Sequence, residues 1–157
     1  MTLAATAFLI GYLEKSAEPL VKPELVSGIG AVESSHRPGV ISKVGKDFGE
    51  YQHTQISVDD YNRRNGTRFS LKDMLDEPTG KKVMEDNLQA WSQGFRKRHG
   101  RVPNDLELAT MHHRGPRGNE KGGVETGRYR IKVDKAMKAE GHVPGGYPKQ
   151  VIPGAAR

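Results

Sequence analysis

Glu33 is the side chain whose setting most invites chemistry. It closes an apolar helical run in which Leu25, Ile29 and Val32 follow the i, i+4, i+7 rule. It lies about 100° round from Val32, at the edge of the buried stripe. Pro38 and Gly39 stop the helix soon afterwards. A carboxyl there is expected to be half-buried at the negative end of a helix dipole, and both effects raise its pKa. Such a group suits general-acid catalysis near neutral pH. Asp47 follows 14 residues on, inside Gly45-Lys46-Asp47-Phe48-Gly49-Glu50-Tyr51-Gln52-His53. Gly49 permits a sharp turn or a close backbone approach. Gln52 can donate to and accept from a hydroxyl or acetamido group. Two carboxylates facing each other across a bond are what glycoside hydrolysis uses. The same residues also fit a surface glutamate at a helix end and a Gly-rich hairpin with solvated acids.

A second cluster is His112-His113, at the end of a later helical run. Adjacent helical residues point about 100° apart, so the two imidazoles do not readily share a metal. With no cysteine and no His-Glu-x-x-His, neither a catalytic metal nor another cofactor is expected. His113 suits either the negative end of a helix dipole or a substrate contact. The pair, followed by Asn119, also resembles HNH-type nucleases, and a basic C-terminal half would suit nucleic acid. That rival lacks the expected downstream His and leaves Glu33 without a role.

The elements that must hold these residues can be read from the chain. Its 157 residues are enough for one domain, with 34% hydrophobic and 28% charged side chains. Gly 19 and Pro 9 imply many turns and short elements. The Leu3–Ile10 run has no basic segment before it, and Glu14 and Lys15 follow it. It therefore reads as part of a first core helix over 2–15 rather than a secretory signal. No stretch is long and apolar enough for an integral membrane segment. Pro23 opens a second helix to about Ser35. Residues 38–56, with Val40-Ile41 and Gln55-Ile56, read as a small β hairpin region.

Ser57 to Asp60 has the form of a capping box for a short helix to Asn65. Ser70 caps another short helix. The longest helix follows Pro78 to about His99, with Met84, Leu88, Trp91 and Phe95 as its core stripe. Pro103-Asn104-Asp105 opens the helix that carries His112. A last helix over about 126–140 aligns Tyr129, Val133 and Ala136. The expected class is mainly α: several short helices around one long central helix, with a small β hairpin. Residues 1–140 form the domain, and the Gly/Pro-rich residues 141–157 form a tail or linker. Residues 101–157 carry 11 basic and 6 acidic side chains, which favours an anionic partner.

Glu33-Ser34 at a helix end, followed by a Gly-x-x-Gln turn, resembles the lysozyme-like superfamily. Soluble lytic transglycosylases pair Glu-Ser with Gly-Leu-Met-Gln, and Gly49-Glu50-Tyr51-Gln52 matches at Gly and Gln. Asp47-Phe48-Gly49-Glu50-Tyr51-Gln52 is similar to the Asp-Tyr-Gly-x-x-Gln of animal c-type lysozymes, with Phe for Tyr. Met111-His112-His113-Arg114-Gly115-Pro116 fills the place of the transglycosylase Ala-Tyr-Asn-Ala-Gly-Pro and keeps Gly-Pro. Tyr129 corresponds to a tyrosine on the family's last helix. The resemblance covers about residues 22–137.

The resemblance implies an α+β lysozyme-like fold and cleavage of the β-1,4 bond between N-acetylmuramic acid and N-acetylglucosamine in peptidoglycan. Glu33 would be the general acid. Ser34, Gly49, Tyr51, Gln52, His112, His113 and Tyr129 would contact substrate. In a lytic transglycosylase, Glu33 turns from acid to base and the muramyl 6-hydroxyl closes an anhydro ring. In a lysozyme, Asp47 is a second catalytic carboxylate and water completes the reaction. The reading leans to the transglycosylase. It implies a phage-type enzyme, an endolysin or a virion component. Such an enzyme would be made in the host cytoplasm without a signal peptide and would act at the host periplasm or wall. The tail could meet other virion proteins, and nucleic acid is not expected as a partner. A non-catalytic wall-binding module is the remaining alternative.

Overall fold

The computed structural model describes residues 21–120 and 124–139. The helix expected over 2–15 and the tail from Gly141 lie outside the described residues. Helix α1 spans Pro23–Ser34, with proline in its first turn where a missing N–H costs nothing. Leu25 and Ile29 are fully buried. Ser35 ends the helix in the left-handed region at φ 56°. Its N–H bonds the Ala31 carbonyl, and the His36 N–H bonds that of Gly30. This closure satisfies carbonyls that a helix end otherwise leaves open.

Strands β1 (Asp47–Phe48) and β2 (His53–Thr54) pair antiparallel, Asp47 opposite Thr54 and Phe48 opposite His53. Ile41 adds one antiparallel bridge to Phe48. Gln55 and Ile56, expected as strand, instead begin helix α2 (Gln55–Asn65). The cap is Thr54 rather than Ser57, because Thr54 Oγ1 accepts the Ser57 N–H at 3.3 Å. Ile56 is 82% exposed, so its β-branched side chain has no sheet to pack against.

A 3-10 turn at Leu71–Leu75 leads into the long helix α3 (Glu77–His99). Met84, Leu88, Trp91 and Phe95 are all buried, as their spacing predicts. Helix α4 spans Asp105–Arg114. Asn104 and Glu107 cap it reciprocally, each side chain accepting the other's backbone N–H. A 3-10 turn at Gly118–Glu120 precedes helix α5 (Val124–Ala139), which buries Tyr129, Val133 and Met137.

The main core joins α1, α3, α4 and α5 and includes Tyr51 from the hairpin turn. A smaller core of Val58, Tyr61, Met74 and Val83 lies under α2. The fold is mainly helical with one two-stranded antiparallel sheet. Among the described residues no helix is long and apolar enough to cross a membrane.

Two close approaches place α1. Gly28 lies against α5, where a Cβ would come within 2.7 Å of Met137 Cγ and 3.3 Å of the Met137 backbone nitrogen. Gly30 lies against the hairpin turn, where a Cβ would overlap the Glu50 carboxylate. The absence of side chains at these two positions lets α1 sit close to both neighbours.

Candidate functional site

Glu33 stands in the last turn of α1 with its side chain 18% exposed. Three side chains from two other helices gather round it. Tyr129 of α5 donates its phenolic O–H to Glu33 Oε1 at 2.7 Å. His112 of α4 brings Nε2 to 3.6 Å from the same oxygen, an ion-pair separation rather than a formed hydrogen bond. The His113 ring stacks on the Tyr129 ring, centroids 4.3 Å apart and 11° from parallel. Neighbouring histidines thus use their divergent directions to reach the carboxylate and the phenol of one pair.

Local structure fixes this arrangement. The α1–α5 contact at Gly28 sets Tyr129 beside Glu33. Arg130, next along α5, donates to Thr110 Oγ1 and to Asn119 Oδ1, both at 2.6 Å. That ties α5 to the helix bearing the histidines and to the turn after it.

The electrostatics correct one expectation. Burial does push the Glu33 carboxyl upward. His112, Tyr129 and His113 outweigh it, and Glu33 is held below the usual carboxylate value. The helix-end reading omitted these partners because they come from distant parts of the chain. Burial, then the adjacent Glu33 charge, pushes the Tyr129 phenol well above its ordinary value, so it remains a donor. Burial, reinforced by His112 and Arg114, holds His113 below the ordinary imidazole value despite the pull of Glu33.

The other expected site residues are engaged elsewhere. Ser34 is buried, and its Oγ accepts the Arg37 N–H at 2.9 Å. Gly49, at φ 78°, approaches the Met74 backbone so closely that a Cβ would overlap the Met74 carbonyl oxygen. Its freedom serves the turn's contact with the 3-10 segment. Tyr51 is 4% exposed and belongs to the main core. Gln52, at φ 48°, donates its amide to the Gly49 carbonyl at 2.8 Å and to the Val40 carbonyl at 3.4 Å, bracing the turn. Asp47 is half-buried in β1, where its N–H donates to Ser42 Oγ at 3.1 Å. The structure therefore gathers Glu33, His112, His113 and Tyr129 and uses Ser34, Gly49, Tyr51 and Gln52 to shape α1's end and the turn beside it.

Two features escaped the sequence reading. Glu50, 8% exposed, is the turn's carboxylate packed on α1, and its Oε1 lies 2.9 Å from His36 Nδ1, within hydrogen-bond reach. His53 is 2% exposed with Nε2 bonded to the Gly80 carbonyl at 2.9 Å. Burial lowers His53 to about 4, and the field of His112 adds to this. Neither residue falls on a periodic stripe, so only the packed turn reveals them.

No protein-family model matches the chain, and no curated protein is significantly similar to it.

Proposed function

We propose that this protein is a peptidoglycan-cleaving enzyme of the lytic transglycosylase type, acting on the bond between N-acetylmuramic acid and N-acetylglucosamine. The observation that carries the reading is the bond from Tyr129 to Glu33 at the end of α1, with His112 at 3.6 Å. Glu33 protonates the glycosidic oxygen as the C1–O bond breaks. The resulting carboxylate accepts the proton of the muramyl 6-hydroxyl as that oxygen closes on C1. One carboxyl serves first as acid and then as base. A phenol donating to Glu33, with the His112 imidazole beside it, suits this double duty, because the donated hydrogen bond stabilises the carboxylate that must exist between the two steps. The Gly49–Gln52 turn braces the sheet next to α1 and keeps that wall in place.

The test is digestion of purified peptidoglycan with mass analysis of the products. The parent protein should release muropeptides whose cut ends are lighter by one water. Glu33→Gln should lose activity by about 10²–10⁴-fold, the usual worth of a general acid. Full activity in that variant would overturn the proposal. Reducing ends, together with loss in Asp47→Asn, would convert the reading to a hydrolytic lysozyme. Metal-dependent nicking of plasmid DNA that is lost in His112→Ala would replace it with a nuclease.

A further inference from the structure

Helix α5 presents two unlike faces. Its inner face buries Thr126, Tyr129, Val133 and Met137, which fall within one arc at about 100° per residue. The opposite arc carries Val124, Arg128, Ile131, Lys132 and Lys135, all exposed. Val124 and Ile131 are 75% and 57% exposed, although both are branched aliphatics. Their spacing is i, i+7, which sets them on one side of the helix with Arg128 between them and Lys135 beyond.

The acidic side chains of α5 lie on its flanks and are occupied. Glu125 pairs with Arg114 of α4, and Asp134 pairs with Lys138 one turn along. Among the described residues no carboxylate pairs with Arg128, Lys132 or Lys135. Arg128 and Lys132 stand at i, i+4, a like-charge spacing that disfavours a helix slightly. The helix therefore holds a mildly repulsive row of three cations in solvent. Exposed cations alone would mark a solvated face. The aliphatic pair set among them is the feature that points to a partner.

We propose that this face of α5 docks on the surface of a lipid bilayer bearing anionic headgroups. The lipid phosphates meet Arg128, Lys132 and Lys135, and Val124 and Ile131 enter the boundary between headgroups and acyl chains. Helices that lie in that boundary combine exposed apolar side chains with lysine and arginine. A nucleic-acid backbone or an anionic polysaccharide would attract the same three cations, but it offers no apolar layer to the aliphatic pair. Docking of this kind needs no spanning segment, and no helix among the described residues could supply one. Tyr129 lies on the buried side of α5, so docking leaves its bond to Glu33 in place. The inference stands apart from the muralytic reading and adds a second partner to it.

The experiment is co-sedimentation of the full chain with vesicles of phosphatidylcholine alone and of an equal mixture of phosphatidylcholine and phosphatidylglycerol. Three cations near an anionic surface should favour the mixed vesicles by about a hundredfold. That preference should collapse in about 1 M salt, where charges are screened within about 3 Å. The triple variant Arg128→Gln, Lys132→Gln, Lys135→Gln should lose most of the preference. A second triple, Lys43→Gln, Lys72→Gln, Lys81→Gln, changes the net charge equally at exposed sites elsewhere and should keep most of it. Equal losses in the two triples would overturn the proposal, because attraction would then follow net charge rather than this face. All six side chains are exposed and glutamine is a good helix former, so both variants should fold. Ile131→Ser should weaken binding to mixed vesicles by about fivefold and leave binding of duplex DNA as in the parent. An Ile131→Ser protein that binds vesicles like the parent would overturn the bilayer as partner. So would duplex DNA held through the same three cations by a chain that sediments with neither vesicle.

Discussion

Tyr129 and Glu33 show at the residue scale why a carboxyl's behaviour depends on its partners more than on its helix. A hydrogen bond to a charged group contributes about 1.5–3 kcal/mol. Tyr129→Phe removes one at 2.7 Å while leaving the ring to stack on His113. We expect that variant to lose about that much stability at neutral pH. The sign with pH follows from Glu33's lowered value. The bond's stabilisation is present above the unfolded carboxyl pKa and is lost as pH falls through the folded one. The deficit of Tyr129→Phe should therefore shrink as pH falls below the ordinary glutamate value of 4.5, which urea unfolding at several pH values would measure. A deficit independent of pH would mean that the phenol stabilises packing rather than the carboxylate.

At the scale of elements, the site depends on how closely α1 can lie against α5 and on the hairpin turn. Gly28→Val adds branched carbon where Met137 already sits. Overpacking of this kind typically costs about 1–3 kcal/mol. It should also part Glu33 from Tyr129, so activity should fall more than stability alone explains, as rates measured well below the melting temperature would show. Gly49→Ala combines a left-handed φ of 78° with a clash against the Met74 carbonyl. We expect a loss of about 3 kcal/mol, read as a lower Tm.

Much of this framework was legible in the sequence. The Leu25, Ile29, Val32 spacing located α1 and put Glu33 at its end, the stripe through Trp91 located α3, and Asn104 marked the start of α4. Those signals are local, acting within a few turns of helix. Ser57 carries the capping-box pattern, yet Thr54 caps the helix, because strand β2 ends at Thr54 and delivers its hydroxyl to the first turn. The direction of Glu33's shift was missed because its causes sit on α4 and α5. Tyr51 and Gln52 carried the right residue types for a binding wall. Only the packed turn shows one in the core and the other holding backbone carbonyls.

The molecule as a whole carries a buried neutral imidazole, and this governs its response to acid. His53 is held at about 4, against 6.5 for an ordinary histidine. A depressed histidine stabilises the fold fully above its unfolded pKa, and that contribution drains away as pH falls from 6.5 to about 4. The loss is about 3 kcal/mol by the time both states are protonated. Glu33, Asp60 and Glu107, all held below the usual carboxylate value, lose their stabilising contributions at lower pH still. His53→Gln should flatten the stability curve between pH 6.5 and about 4 while leaving the lower limb. Chemical denaturation at pH 7, 5.5 and 4 would reveal it, and an unchanged slope in the variant would assign the acid sensitivity to carboxylates alone.

The Tyr129–Glu33 bond spans 96 residues of chain. At ribosomal rates of about 5–20 residues per second, the phenol is synthesised about 5–20 s after the carboxyl it serves. A nascent chain that has made α1 through α4 therefore holds the acid without its last partner. The complete cluster is a product of late synthesis, and a fragment severed before Val124 lacks it altogether. Such a fragment also lacks Tyr129, Val133 and Met137 from the main core, so the last partner of Glu33 and a wall of that core arrive together.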